Sequence, residues 1–85
     1  MTSIRGLRVD VTLDVRGMPS PDAYRKAVDQ LNGMEEYGVL ELYLEDGEPL
    51  RAIPFGLRAE GHEILVSEPA QHGVRLLVRK RSLLV

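Results

Sequence analysis

Between Leu7 and Arg16 the chain alternates strictly. Leu7, Val9, Val11, Leu13 and Val15 fall on one side, and Arg8, Asp10, Thr12, Asp14 and Arg16 on the other. Side chains of a strand point to opposite faces in turn, so this period of two predicts a strand with one buried face and one charged, wet face. Gly17-Met18-Pro19 then breaks the pattern. Ser20 is suited to cap a helix, because its hydroxyl can accept from an orphan amide of the first turn. Pro21 suits the first helical position, where a missing N–H costs nothing. Asp22 is favourable beside the positive helix end. Ala23, Tyr24, Ala27, Val28, Leu31 and Met34 recur at helical spacing, while Asp22, Arg25, Lys26, Asp29 and Gln30 face the other way. The spacing predicts an amphipathic helix over Pro21 to Met34, ending near Asn32-Gly33 or Tyr37-Gly38.

A second alternation follows, with Leu40, Leu42 and Leu44 against Glu41, Tyr43 and Glu45. Strand, helix and strand in this order read as a right-handed parallel βαβ unit. Asp46-Gly47-Glu48-Pro49 is a turn cluster. Leu50, Ile53 and Leu57 then sit at helical spacing, but Pro54 divides them, which predicts an irregular turn before a short helix from Pro54 to Glu60, with Gly61 as its C-cap. Glu63 to Ser67 and Val74 to Lys80 read as strands joined by a hairpin loop over Glu68 to Gly73. Val74, Leu76 and Val78 are expected inward, and Arg75 and Arg79 outward. The tail from Arg81 to Val85 is apolar enough to extend the strand, cover the core edge or touch a neighbour. The order βαβαββ, with strands wet on one side, predicts an α+β two-layer sandwich: a four-stranded mixed sheet with two helices on one face.

At 85 residues the chain is expected to form one domain over 1–85. Hydrophobic residues make up 44% and charged residues 28%, a globular balance. The net charge of −2 and aromatic content of 5% argue against nucleic acid as a partner. No apolar run is long enough to span a bilayer, and Met1 to Arg5 lack the hydrophobic stretch of a signal peptide, so a cytoplasmic protein is expected. The absence of cysteine excludes disulfides, thiolate metal sites and thiol chemistry. The two histidines, His62 and His72, lack companions at metal-ligand spacing, so no metal and no cofactor is expected. His62 is expected to order the start of the third strand, and His72 to lie in a loop. Asp14, Asp22, Glu45 and Asp46 have no aligned acid or base partner and read as solvated carboxylates. Arg75, Arg79, Lys80 and Arg81 form a local basic stripe, read first as a solvated strand face and, in a sharper version, as a docking surface for an acidic partner or RNA.

Four landmarks stand in register along the chain. The first is Leu13-Asp14-Val15-Arg16-Gly17-Met18-Pro19-Ser20-Pro21-Asp22-Ala23. Next come Glu45-Asp46 followed by Ala52-Ile53-Pro54, then Gly61-His62-Glu63-Ile64, and finally Arg79-Lys80. Together they resemble the TusA/SirA-like small sulfur-carrier proteins, whose signature is a strand ending in Leu-Asp, a Gly, and Cys-Pro-x-Pro at a helix start. In that family the Cys takes a persulfide sulfur from a cysteine desulfurase or another donor and passes it on, for example toward tRNA thiolation. A thiol at a helix N-terminus is readily ionised, because free amides and the macrodipole stabilise the thiolate. Here Ser20 occupies the position of that Cys, Ala23 that of the second Pro, and Ala52 that of the Asp in the family's later Asp-Ile-Pro landmark. A serine hydroxyl cannot form a persulfide, and no base is evident beside Ser20 to activate it.

The resemblance therefore implies a family protein without its carrier thiol, working as a non-catalytic interaction or regulatory module of a sulfur relay. Its docking face would comprise the loop Gly17, Met18, Pro19, Ser20 and Pro21, the helix start with Asp22, Arg25 and Lys26, and Arg79-Lys80. Its partner would be a cysteine desulfurase or sulfurtransferase. The alternative is a genuine persulfide sulfurtransferase seen with Ser20 engineered in place of Cys, although Ala23 and Ala52 favour natural divergence. A third reading is a nucleic-acid-binding module using the basic stripe. A monomer or weak dimer is expected, through exposed sheet edges or the Leu83-Leu84-Val85 tail.

Overall fold

The computed structural model describes residues 8–82. Leu7 and the Leu83-Leu84-Val85 tail, both invoked above, lie outside the described residues. The element order is β1 (Val11–Asp14), α1 (Ser20–Asn32), β2 (Val39–Leu44), α2 (Glu48–Ala59), β3 (Glu63–Ala70) and β4 (Gly73–Arg79). The four strands form one sheet in the order β1-β2-β4-β3. β1 pairs parallel with β2, and β4 pairs antiparallel with both β2 and β3. This is the expected βαβαββ arrangement, with both helices packed on one face.

The core lies between that face and the helices. Leu40, Leu42 and Leu44 of β2 and Leu76 and Val78 of β4 are buried against Ala23, Ala27 and Leu31 of α1 and Ile53 and Leu57 of α2. Registers follow the period of two: Val11 pairs with Leu40, Leu13 with Leu42, and Leu42 with Leu76. Small residues at Ala23 and Ala27 let α1 lie close to the sheet. Gly56 does the same between the helices, since a Cβ there would come within 2.6 Å of the Tyr24 ring.

Several sequence expectations are corrected. β1 is shorter than its alternating pattern, because β2 offers partners only from Val39 to Leu44. Before it, the Asp10 carboxylate takes the place of a ladder acceptor, receiving the Val39 N–H at 2.9 Å. Residue 34 lies outside α1; after Gly33 the chain tightens and Met34 N–H donates to Leu31 O. α2 is continuous through Pro54 rather than divided before it. Proline in a helix interior removes one hydrogen bond and costs about 3 kcal/mol, but Ile53, Pro54 and Leu57 are all buried together, and that burial offsets the loss. The helix closes as a Schellman motif on Gly61 (φ 100°), with Gly61 N–H to Arg58 O and His62 N–H to Leu57 O.

The hairpin is also tighter than expected. Strand pairing runs to Ala70 and Gly73, leaving Gln71-His72 as the turn, with His72 at φ 62°. Pro69 is tolerated in β3 because this is an edge strand. Finally, the open face of the sheet is not wholly polar: Leu77, in register with Glu41 and Val66, is 2% exposed.

Candidate functional site

The loop joining β1 to α1 is built from short-range contacts. Val15 N–H donates to Tyr43 O, which holds the end of β1 beside β2. Met18 N–H turns back to Val15 O at 3.2 Å across Gly17, whose φ of 87° is a conformation that a side chain rarely adopts. Met18 then packs against the core, and Pro19 enters the helix. The first helical hydrogen bond runs from Ala23 N–H to Pro19 O at 2.9 Å.

Ser20 is therefore the first residue of α1 and not its cap. Pro19 holds the cap position, and no side-chain hydrogen bond caps the helix. The expected capping role of Ser20 is corrected for this reason: Ser20 already lies inside the helix, one position past the cap. Ser20 is half-buried at the helix start, between exposed Pro19 and exposed Pro21.

Arg16 braces the loop from below. Its guanidinium chelates the Asp14 carboxylate at 2.9 and 2.6 Å, donates to Gln71 O at 2.6 Å, and lies 5.1 Å above the Tyr43 ring. One side chain thus ties the end of β1 to the β3–β4 turn. The hydrogen bonds from Arg16, from its side chain and then its backbone N–H, hold the Asp14 carboxyl down at about 2. Periodicity placed Asp14 and Arg16 on one strand face, which was a legible sign of the pair. Tyr43 on the same face of β2 was the further sign that sequence reading missed.

The residues expected to form one docking face separate into two groups. Pro21, Asp22, Arg25 and Lys26 follow Ser20 on the exposed side of α1, with Arg25 bonded to Asp22 at 3.2 Å. Arg79 and Lys80 stand at the other end of the molecule. Lys80 Nζ donates to Met34 O at 2.9 Å and Asn32 O at 3.5 Å, beyond the C-terminus of α1. A helix of 13 residues at about 1.5 Å per residue separates that point from Ser20 by roughly 20 Å. Arg79 faces Glu63 at 3.5 Å. The three arginines of the basic stripe are answered within the fold: besides Arg79, Arg75 reaches Glu41 at 2.6 Å and Glu68 at 2.7 Å, and Arg81 lies near Glu36 and Glu63. Cations already answered by carboxylates have little left to offer RNA phosphates.

His62 has a further task beside the one expected. It is 8% exposed, and its Nδ1 accepts the Arg81 N–H at 3.1 Å. It therefore orders the segment after β4 as well as the helix end before β3. His72 lies in the hairpin turn, as expected. Among the described residues, no group of three His, Cys, Asp or Glu is placed to hold a metal ion, and no helix is long and apolar enough to cross a membrane.

No curated protein matches the chain. The family model for sulfurtransferase TusA matches residues 11–80, which runs from the first residue of β1 to just past the end of β4. With the fold, the loop and the helix start all lying inside that span, the chain belongs to the TusA sulfurtransferase family.

Proposed function

We propose that this protein is a cysteine-free member of a sulfur relay, a cytoplasmic interaction module that occupies a partner's carrier-binding surface without accepting sulfur. One observation carries the reading. The loop and helix start that the family match covers are held in a fixed shape around Ser20 by the Gly17 turn, the inserted Met18 and the Arg16 brace, yet the chain contains no thiol. An ordered loop around an inert hydroxyl offers a surface that a partner can recognise and no group that can accept sulfur. The docking face is the loop Gly17 to Pro21 with Asp22, Arg25 and Lys26. Arg79 and Lys80 are left out, because they lie at the far end of α1 and are engaged within the fold.

The test is binding to a cysteine desulfurase, or to a sulfurtransferase that receives from one, measured by titration calorimetry with the whole chain. The reading expects micromolar binding, weakened at least tenfold by Arg25→Glu with Lys26→Glu, and no persulfide on the protein after turnover with cysteine. Binding indifferent to that charge reversal, or no binding to either enzyme class, would overturn it. The Ser20→Cys variant separates the remaining reading: uptake of one sulfur by that variant at a carrier's rate would favour a true carrier seen with serine in place of its thiol.

A further inference from the structure

The outer surface of α2 has no assigned role. Glu48, Arg51, Ala52, Phe55, Arg58 and Ala59 are all exposed and recur at three- and four-residue spacing, opposite the buried stripe of Ile53, Pro54 and Leu57. Phe55 is 74% exposed, more than the other large hydrophobic side chains left on the described surface. Among the described residues, neither Arg51, Arg58 nor Glu48 has an ion-pair partner.

We infer that this face binds a second copy of the same chain, by antiparallel packing of α2 against α2. The arrangement of charge along the helix supplies the argument. Glu48 stands in the first turn and Arg58 in the last, each favourable beside its own helix end. Parallel packing would set Glu48 against Glu48. Antiparallel packing sets Glu48 of each copy beside Arg58 of the other, twice, and opposes the helix dipoles. With the two-fold axis passing between Ile53 and Pro54, Phe55 of each copy falls opposite Ala52 of the other. A large side chain thus meets a small one, and the stem of Arg51 lies alongside.

Among the described residues, the sheet offers poorer routes to self-association. β1 is a four-residue edge, and the β3 edge is interrupted by the irregularity between Ile64 and Val66 and by Pro69. The cations of the open sheet face are paired within the chain. A single helix pair buries well below the ~800 Å² per partner of a standard interface, so the dimer is weak, with a Kd on the order of 100 µM. This inference is independent of the sulfur-relay reading, whose surface lies on α1 and the loop before it.

Sedimentation velocity of the whole chain from about 10 µM to about 1 mM tests it. The expected result is a reversible monomer–dimer equilibrium. Phe55→Glu should weaken it at least tenfold, and Glu48→Arg or Arg58→Glu singly several-fold. The double change Glu48→Arg with Arg58→Glu should restore it, because the swapped charges again face each other across the axis. Circular dichroism of each variant checks that α2 is kept. A monomer throughout the range, association untouched by Phe55→Glu, or failure of the charge swap to rescue would each overturn the inference. A monomer whose Phe55 is instead protected by a foreign protein would assign the face to that protein.

Discussion

The two outer surfaces of this molecule treat charge in opposite ways. On the open face of the sheet, Arg75 lies between Glu41 and Glu68, Arg79 meets Glu63, and Arg16 grips Asp14. Thr12 and Tyr43 add their hydroxyls to Glu41, so this carboxylate receives three side-chain donors. On the helix layer, Lys26, Arg51 and Arg58 have no carboxylate partner among the described residues, and Phe55 stands bare. A strand lays its neighbours at fixed spacing on both sides, so long charged side chains find cross-strand partners. An isolated outer helix face finds partners only three or four residues along itself, or in another molecule. The sheet face is therefore closed by its own chain, whereas the helix layer remains available for binding.

The hardest way to break the sheet side is through its backbone. A Cβ on Gly73 would lie 2.1 Å from Leu44 O, with Arg16 Cδ at 3.3 Å behind it. Backbone cannot retreat as a flexible side chain can. Gly73→Ala should therefore cost about 3 kcal/mol or more, as overpacking with a forced strand shift does. The measurement is the urea midpoint against the parent chain. A loss below about 1 kcal/mol would mean that the turn at Gln71-His72 relaxes freely and that the sheet side is less tightly specified than the helix side.

The charge network comes next. The side chains of Arg75 and Glu41 are 26% and 16% exposed, so their pair is worth more than a surface ion pair and less than a dry one. Arg75→Ala should cost about 1–2 kcal/mol, mostly because Glu41 is left half-buried with only hydroxyl donors. Its carboxyl, held below the usual value first by the Arg75 hydrogen bond, should titrate higher in that variant. A double-mutant cycle with Glu41→Gln should return a coupling near 1 kcal/mol. Zero coupling would remove the distinction between the two faces, since the sheet-face pairs would then be as unengaged as the helix-face charges.

A smaller effect is set by pH at the end of the sheet. Nδ1 of His62 must be unprotonated to accept the Arg81 N–H. Burial, and then the nearby Lys80 charge, lower its pKa below the ordinary histidine value, while Glu60 and Glu36 pull the other way. With the folded pKa depressed, the unfolded chain binds the extra proton. The contribution is fully present above pH 6.5 and falls as pH drops toward the folded pKa. Chemical denaturation at stepped pH should show this decline, accompanied by loss of protection at the Arg81 amide. His62→Asn, which keeps an acceptor that does not titrate, should flatten it.

These contrasts also mark what the residues disclosed before the fold was known. The alternation of Leu40-Glu41-Leu42-Tyr43-Leu44 indicated which face each residue takes, and the Gly17-Met18-Pro19 break located the turn before α1. Period and breaking residues are local signals and carry through. Pro54 was misread because its cost is local, whereas the burial that outweighs it depends on Ile53, Leu57 and the distant strands of the sheet. The division of the expected docking face was hidden for the same reason. Arg79-Lys80, Ser20-Pro21 and the helix after them are each recognisable, but that Lys80 lies beyond the C-terminus of that 13-residue helix comes from the topology. Arg75 and Glu41 are 34 positions apart, and their pairing depends on β4 lying beside β2, which strand order in sequence does not specify.

The smallest expected effect is the one that most sharpens the contrast. If the outer face of α2 takes no part in holding the monomer together, Phe55→Ala, Arg51→Ala and Arg58→Ala should each change stability by no more than about 0.5 kcal/mol. Alanine favours the helix slightly, which offsets whatever packing the Phe55 ring or the arginine stems provide. The comparison within the same helix is Gly56→Ala. That change gains helix propensity too, but its Cβ meets the Tyr24 ring at 2.6 Å and disturbs a hydroxyl that bonds Gly56 O and Glu60. It should cost about 1 kcal/mol net, because the ring can swing aside where backbone could not. Thermal unfolding at about 10 µM, where the weak dimer is dissociated, measures all four without confusing stability with association. Loss of more than about 1 kcal/mol at Phe55 would mean that the exposed ring supports the fold itself, and a bare surface evolved for binding would no longer be the reason it is there.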